Sequence, residues 1–105
     1  MLFANEEEAL LLSGETTVDA ALAALARDWA EVVVTRGARG ALARRGHDVV
    51  TAAARGAEVV DTTGAGDSAT GTYLAHRLGG ADLATSLAHA MDAAARVVRA
   101  LGSRG

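Results

Sequence analysis

The sequence has 105 residues, room for one domain at most, and half of them are hydrophobic. Ten basic residues, all Arg, against 13 acidic ones give a formal net charge of −3, so neither nucleic acid nor an anionic membrane is a natural partner. The absence of Lys excludes a lysine-type phosphate loop and a Schiff base, and the absence of Cys excludes disulfides, thiolate metal sites and cysteine nucleophiles.

Residues 1–4 form a short apolar run that reads as the end of a buried strand, and such a strand at the very start suggests a piece of a longer fold. The start has neither the basic residues nor the apolar length of a signal peptide, and no run approaches the ~18 apolar residues of a membrane span. A cytoplasmic protein is expected. Asn5 introduces Glu6, Glu7 and Glu8, carboxylates that suit the positive end of a helix over 5–12. Thr17 is a natural N-cap, and the spacing of Val18, Leu22, Leu25 and Trp29 predicts an amphipathic helix over 17–29. Val32, Val33 and Val34 predict a buried strand over 31–35, closed by Gly37 and Gly40. Residues 41–44 and 48–53 read as the arms of a hairpin around Arg45, Gly46 and His47, with a further short strand at 57–60. A helix over 66–78 ends at Gly79 and Gly80. Asp82 then caps a last helix over 82–101 with the stripe Leu83, Leu87, Met91, Ala94, Val98 and Leu101. Helices alternate with β segments, so the class is α/β.

The stretch 61–74, DTTGAGDSATGTYL, carries the most chemistry. Gly64 and Gly66 flank Ala65 after a strand and at a helix start, so backbone N–H groups converge there with little Cβ obstruction and make an anion site. Asp67 stands in the same turn. A fixed carboxylate repels a statically bound phosphate, but an acid beside anion-binding amides suits phosphoryl transfer. The amides hold developing negative charge while the acid accepts a proton from an attacking hydroxyl. The plain alternative is a glycine-rich turn whose Asp67 stabilises the helix start.

The longer pattern resembles the ribokinase-like (PfkB) family of carbohydrate and nucleoside kinases. Asp61, Thr62, Gly64, Ala65, Gly66 and Asp67 stand in register with the family's D-T-x-G-A-G-D signature, and Gly71 falls at a small-residue position. Thr72 departs from the usual Ala or Gly there, which touches helix packing and not the chemistry. Asn5 to Glu8 look like the family's N-x-x-E motif, and Thr35 to Gly40 like its T-x-G-x-x-G nucleotide loop. Alone, the first reads equally as an acidic helix start and the second as a β-turn; the three occur here in the family's order.

This resemblance implies the C-terminal part of a ribokinase-like three-layer fold, a single partial domain over 1–105 with the N-terminal part missing. It implies an ATP-dependent phosphotransferase acting on an alcohol group of a sugar or nucleoside. Asp67 would be the base, with Gly64, Ala65 and Gly66 stabilising the transferring group. Asn5, Thr35, Arg36, Gly37, Gly40 and Gly66 would hold the nucleotide, and Glu8 would place Mg2+, partly through water. Asp61 and Thr63 line up with a monovalent-cation (K+) position, unless Asp61 simply braces the loop. Met91 stands where ribokinases carry an Asn that contacts the base, so apolar packing on the base would replace that contact. The stretch Ala94 to Gly102 looks closer to the adenosine-kinase-like bacterial members. Alternatives to a catalytic piece are a non-catalytic nucleotide-binding remnant and a module of a split kinase, with either a homo-oligomer or a complementing N-terminal chain as partner. His47, His76 and His89 lack metal-ligand spacing and are expected at the surface.

Overall fold

The computed structural model describes residues 1–53 and 63–102. Four strands form one sheet in the order β1 (Leu2–Asn5), β2 (Glu31–Thr35), β3 (Ala41–Arg45), β4 (Asp48–Ala52). β1 runs parallel to β2, and the remaining pairs are antiparallel. Two helices, α1 (Glu6–Ser13) and α2 (Val18–Leu25), form the crossover between the parallel strands, and α3 (Thr63–Leu78) and α4 (Leu83–Gly102) follow the hairpin. The strand expected at 57–60 lies outside the described residues.

The three valines of β2 explain the layering. Side chains alternate across a strand, so Val32 and Val34 face one side, with Ala4, Ala9, Ala21, Leu22, Leu25 and Leu42. Val33 faces the other, with Ala41, Ala43, Ala69, Tyr73, Leu83, Leu87, Ala90 and Met91. The sheet is therefore the middle of three layers: α1 and α2 below, α3 and α4 above. Ala41 and Ala43 keep the upper face low, which lets α4 lie close on the hairpin strands.

Some element ends differ from the sequence reading. α2 stops at Leu25, and the chain tightens through Arg27 N–H to Ala24 O (3.2 Å) and Asp28 N–H to Leu25 O (3.1 Å). Trp29 therefore leaves the stripe that its spacing predicts and is 42% exposed. α3 begins at Thr63 rather than near 66, so the two glycines form its first turn instead of preceding it. Large exposed apolar side chains occur on helices, at Leu11 (79%), Leu12 (63%) and Leu78 (80%), and on the outer strand β4 at Val49 (47%).

Candidate functional site

Asn5 ends β1 and Thr35 ends β2, and the parallel register pairs the two directly. The N-x-x-E and T-x-G-x-x-G segments thus leave the sheet side by side, at the C-terminal ends of parallel strands, where α/β sheets commonly bind ligands. Asn5 and Glu8 form a reciprocal capping box: Asn5 Oδ1 accepts from Glu8 N–H (2.8 Å), and Glu8 Oε1 accepts from Asn5 N–H (2.9 Å). The box accounts for one carboxylate oxygen of Glu8 and leaves Oε2 without a hydrogen bond among the described residues. The helix-start and metal-binding readings of this motif are therefore compatible.

The loop after β2 closes on itself as a 3-10 turn over Gly37–Arg39. Arg36 N–H donates to Gly40 O (2.7 Å), and Gly40 N–H to Gly37 O (3.1 Å). Its two glycines serve different ends. Gly40 has φ +86°, and a Cβ there would stand 2.0 Å from the carbonyl oxygen of Ala52, so β4 crosses too close for any side chain. Gly37 has φ +58° and open space around its Cβ position, so it gives the turn its shape and leaves that side of the loop clear. Arg39 reaches Glu6 in a two-oxygen ion pair that ties the loop to the first turn of α1. Arg36 folds over the turn, its Nη2 donating to Arg39 O (3.2 Å).

Helix and strand rise indicate which end of the sheet the first turn of α3 approaches. Tyr73 and Arg77, near the end of α3, both reach Glu31 at the start of β2. Ala69, one turn before Tyr73, packs in the cluster with Val33. The helix therefore runs antiparallel to β2. Nine helical residues rise about 13.5 Å and four strand residues about 13 Å, which brings the backbone of Gly64 level with Thr35. A helix's first N–H groups have no intrahelical partner, so those of Gly64 and Ala65, in the first turn of α3, are free of helix bonds. Amide donors and hard carboxylate and hydroxyl oxygens are the chemistry that a magnesium–phosphate group needs. Asp67 stands in the first turns of α3, and Asp61, expected to share a monovalent cation with Thr63, lies outside the described residues.

The family described as pfkB family carbohydrate kinase matches residues 1–105. The chain belongs to the PfkB family. Among curated relatives it is 37% identical over 106 residues to a 1-phosphofructokinase of Haloferax volcanii, an alignment covering 95% of this chain and 35% of the relative. Among solved structures it superposes on an adenosine kinase from Sinorhizobium meliloti with a TM-score of 0.80 and 32% identity, over 95% of this chain and 36% of that one. It also superposes on a candidate ribokinase II from E. coli in complex with ATP and Mg2+, with a TM-score of 0.70 and 27% identity, over 99% of this chain and 39% of that one. The chain spans about a third of the length of the relatives it matches, and its mixed α/β layers are those of ribokinase-like kinases.

Four further residues of this PfkB segment that the sequence singles out sit as follows. Met91, expected to pack on a nucleotide base, is only 7% exposed and sits in the core with Tyr73 and Leu87. Gly71, matched to a small-residue family position, is exposed, and a Cβ there would meet nothing within 4 Å. His89 is exposed and His76 half-buried, as expected of surface or rim positions, and their rings stack across α3 and α4 with centroids 4.2 Å apart. No group of three metal-binding side chains occurs among the described residues.

The sequence reading also missed a polar cluster at the opposite end of β2. Glu31 is 8% exposed. Its carboxylate accepts from Tyr73 Oη (2.7 Å) and from Arg77 Nη2 (2.8 Å) and Nε (3.1 Å). Burial works to raise the Glu31 pKa, but hydrogen bonds from Arg77 and Tyr73 and the charges of Arg77 and Arg45 outweigh it, so the carboxyl stays below its ordinary value. Burial, then the hydrogen bond to Glu31 and its charge, push the Tyr73 hydroxyl well above the usual phenol range. The available signals were a Glu heading a run of buried valines and a Tyr-to-Arg i,i+4 pair on one helix.

Proposed function

We propose that this segment is the nucleotide-binding and catalytic part of an ATP-dependent kinase that phosphorylates an alcohol group of a sugar or nucleoside. The observation that carries the reading is the register that sets the Asn5–Glu8 capping box beside the loop after Thr35, at the sheet end toward which helix rise carries the start of α3. The sugar and nucleoside kinases among the relatives support the acceptor class, and the ATP and Mg2+ complex among the neighbours supports the cofactors.

In this reading Gly37 leaves room for the nucleotide, and Thr35 supplies a hydroxyl at the phosphate side. The Gly64–Ala65–Gly66 amides hold the charge that develops on the transferring group, at a helix start that costs no reorganisation when the charge appears. Glu8 would place Mg2+, partly through water, and Asn5 would hold the nucleotide; the ion would supply positive charge to the phosphates. Asp67 takes the proton of the acceptor hydroxyl. An ordinary Asp carboxyl, with a pKa of about 3.9, is a weak base at neutral pH. That suffices for a loose transition state, in which the hydroxyl releases its proton late. A monovalent cation at Asp61 and Thr63 forms no part of the reading.

The test is calorimetric titration of the chain with ATP, with and without Mg2+. The wild type binds, and Gly66→Val, which puts a branched side chain into the first turn of α3, does not. Glu8→Gln keeps the capping box, since Gln can accept the same bond, but its ATP affinity no longer responds to Mg2+. Equal binding by wild type and Gly66→Val would discard the site.

A further inference from the structure

Glu31, Tyr73 and Arg77 lie about 13 Å from the candidate phosphate site, by the strand rise from Glu31 to Thr35, and touch nothing that binds there. Their geometry nevertheless bears on it. The face that α3 presses on the core is lined with a small side chain, Ala69, and with Tyr73. Apolar contact of this kind is non-directional and gives little resistance to a helix sliding or rotating along its axis. Slipping by one residue moves the helix by about 1.5 Å, and a displacement of about 1 Å is enough to spoil a catalytic arrangement.

Directional contacts fix the height of a helix, and three residues provide them near the end of α3. Arg77 spans both Glu31 oxygens through Nε and Nη2, while its Nη1 donates to Ala81 O (2.8 Å) in the turn before α4. Tyr73 adds its hydroxyl from one turn earlier, and its ring stands edge-on to Phe3 of β1 with centroids 6.0 Å apart. Two side chains on successive turns, bonded to one carboxylate, fix both the rotation and the axial position of α3. Phe3 and Glu31 belong to the two strands whose far ends carry Asn5 and Thr35.

We propose that Glu31, Tyr73 and Arg77 are positioning residues that set the height of the Gly64–Gly66 turn against Thr35 and so tune the phosphate site from the other end of the sheet. The proposal rests on the reading of that edge as the phosphate site.

The experiment compares the full chain with Tyr73→Phe and Glu31→Gln, and with Leu22→Val, a control in the opposite core. All are studied well below their melting temperatures. Amide resonances of Gly64 and Gly66 are followed by 15N NMR, and ATP affinity by calorimetry. In Tyr73→Phe and Glu31→Gln the two glycine resonances move and ATP affinity falls by about three- to tenfold, while Leu22→Val changes neither. Wild-type resonances and affinity in Tyr73→Phe, which keeps the ring and so stays folded, would overturn the proposal. Equal shifts in the control would overturn it too. If the wild type binds no ATP, the phosphate-site reading fails, and the glycine resonances still decide whether the cluster sets the helix.

Discussion

Two glycines three residues apart look alike in the sequence and carry different constraints. Gly37 needs only its backbone freedom: φ is +58° and nothing stands near the missing Cβ. Gly40 needs that freedom and the space as well, because the Ala52 carbonyl occupies the Cβ position at 2.0 Å. Moving that carbonyl means moving β4, which pairs with β3 through Ala41 and Ala52. Gly37→Ala should therefore cost about 1 kcal/mol, the left-handed penalty alone. Gly40→Ala should cost about 3 kcal/mol or more, since backbone strain adds to a backbone clash. Urea midpoints of the two variants check the order. If both lose the same stability, the contact between Gly40 and β4 is not the constraint.

At the scale of elements, the joint between β2 and α3 makes stability depend on pH in a definable direction. Glu31 is held below its ordinary value when folded. The native state thus binds fewer protons than the unfolded one in acid, and this contribution is complete above the unfolded pKa, about 4.3. It is lost as pH falls through the lower folded value. Tyr73 is raised, so its contribution is complete below the unfolded pKa of about 10 and is lost as pH rises beyond it. Melting temperature against pH should fall on both sides of a plateau, with Glu31→Gln flattening the acid limb and Tyr73→Phe the alkaline one. An unchanged acid limb in Glu31→Gln would remove the cluster as its cause. The sequence could not reveal this joint, because it links residues 42 and 46 positions apart. The strands were legible, since valines that alternate between two cores leave a plain pattern. The capping box was legible only as an acidic helix start, because the family motif and a good N-terminus use the same residue types. The end of α2 was not legible: spacing carries Trp29 onto the stripe, whereas α2 ends at Leu25 and i−3 bonds enter at Arg27 and Asp28. The start of α3 was read too late, because the intrinsic cost of glycine in a helix, about 1 kcal/mol each, is outweighed by the packing of Ala69 and Tyr73.

For the whole molecule, the PfkB relationship and the covered length point to a division of labour. The three motifs proposed to serve a nucleotide fall within 105 residues, while the chain spans 35% of the 1-phosphofructokinase and 36% of the adenosine kinase it matches. Groups that recognise an acceptor sugar or nucleoside are expected in the remaining two thirds. The 105-residue chain should therefore bind ATP with Mg2+ but phosphorylate neither sugars nor nucleosides in a coupled assay. Robust turnover by the purified chain would overturn that division. Supplying the preceding two thirds of a PfkB kinase, as a fusion or a separate chain, should restore phosphorylation. In that active form Asp67→Asn should lower kcat by about 10²- to 10⁴-fold, the usual worth of general base catalysis. ATP affinity should change by less than about twofold, because the base acts on the acceptor hydroxyl and mainly in the transition state. A parallel loss of ATP affinity would mean that Asp67 holds the nucleotide or the helix start. Wild-type turnover in the Asn variant would place the base on another residue.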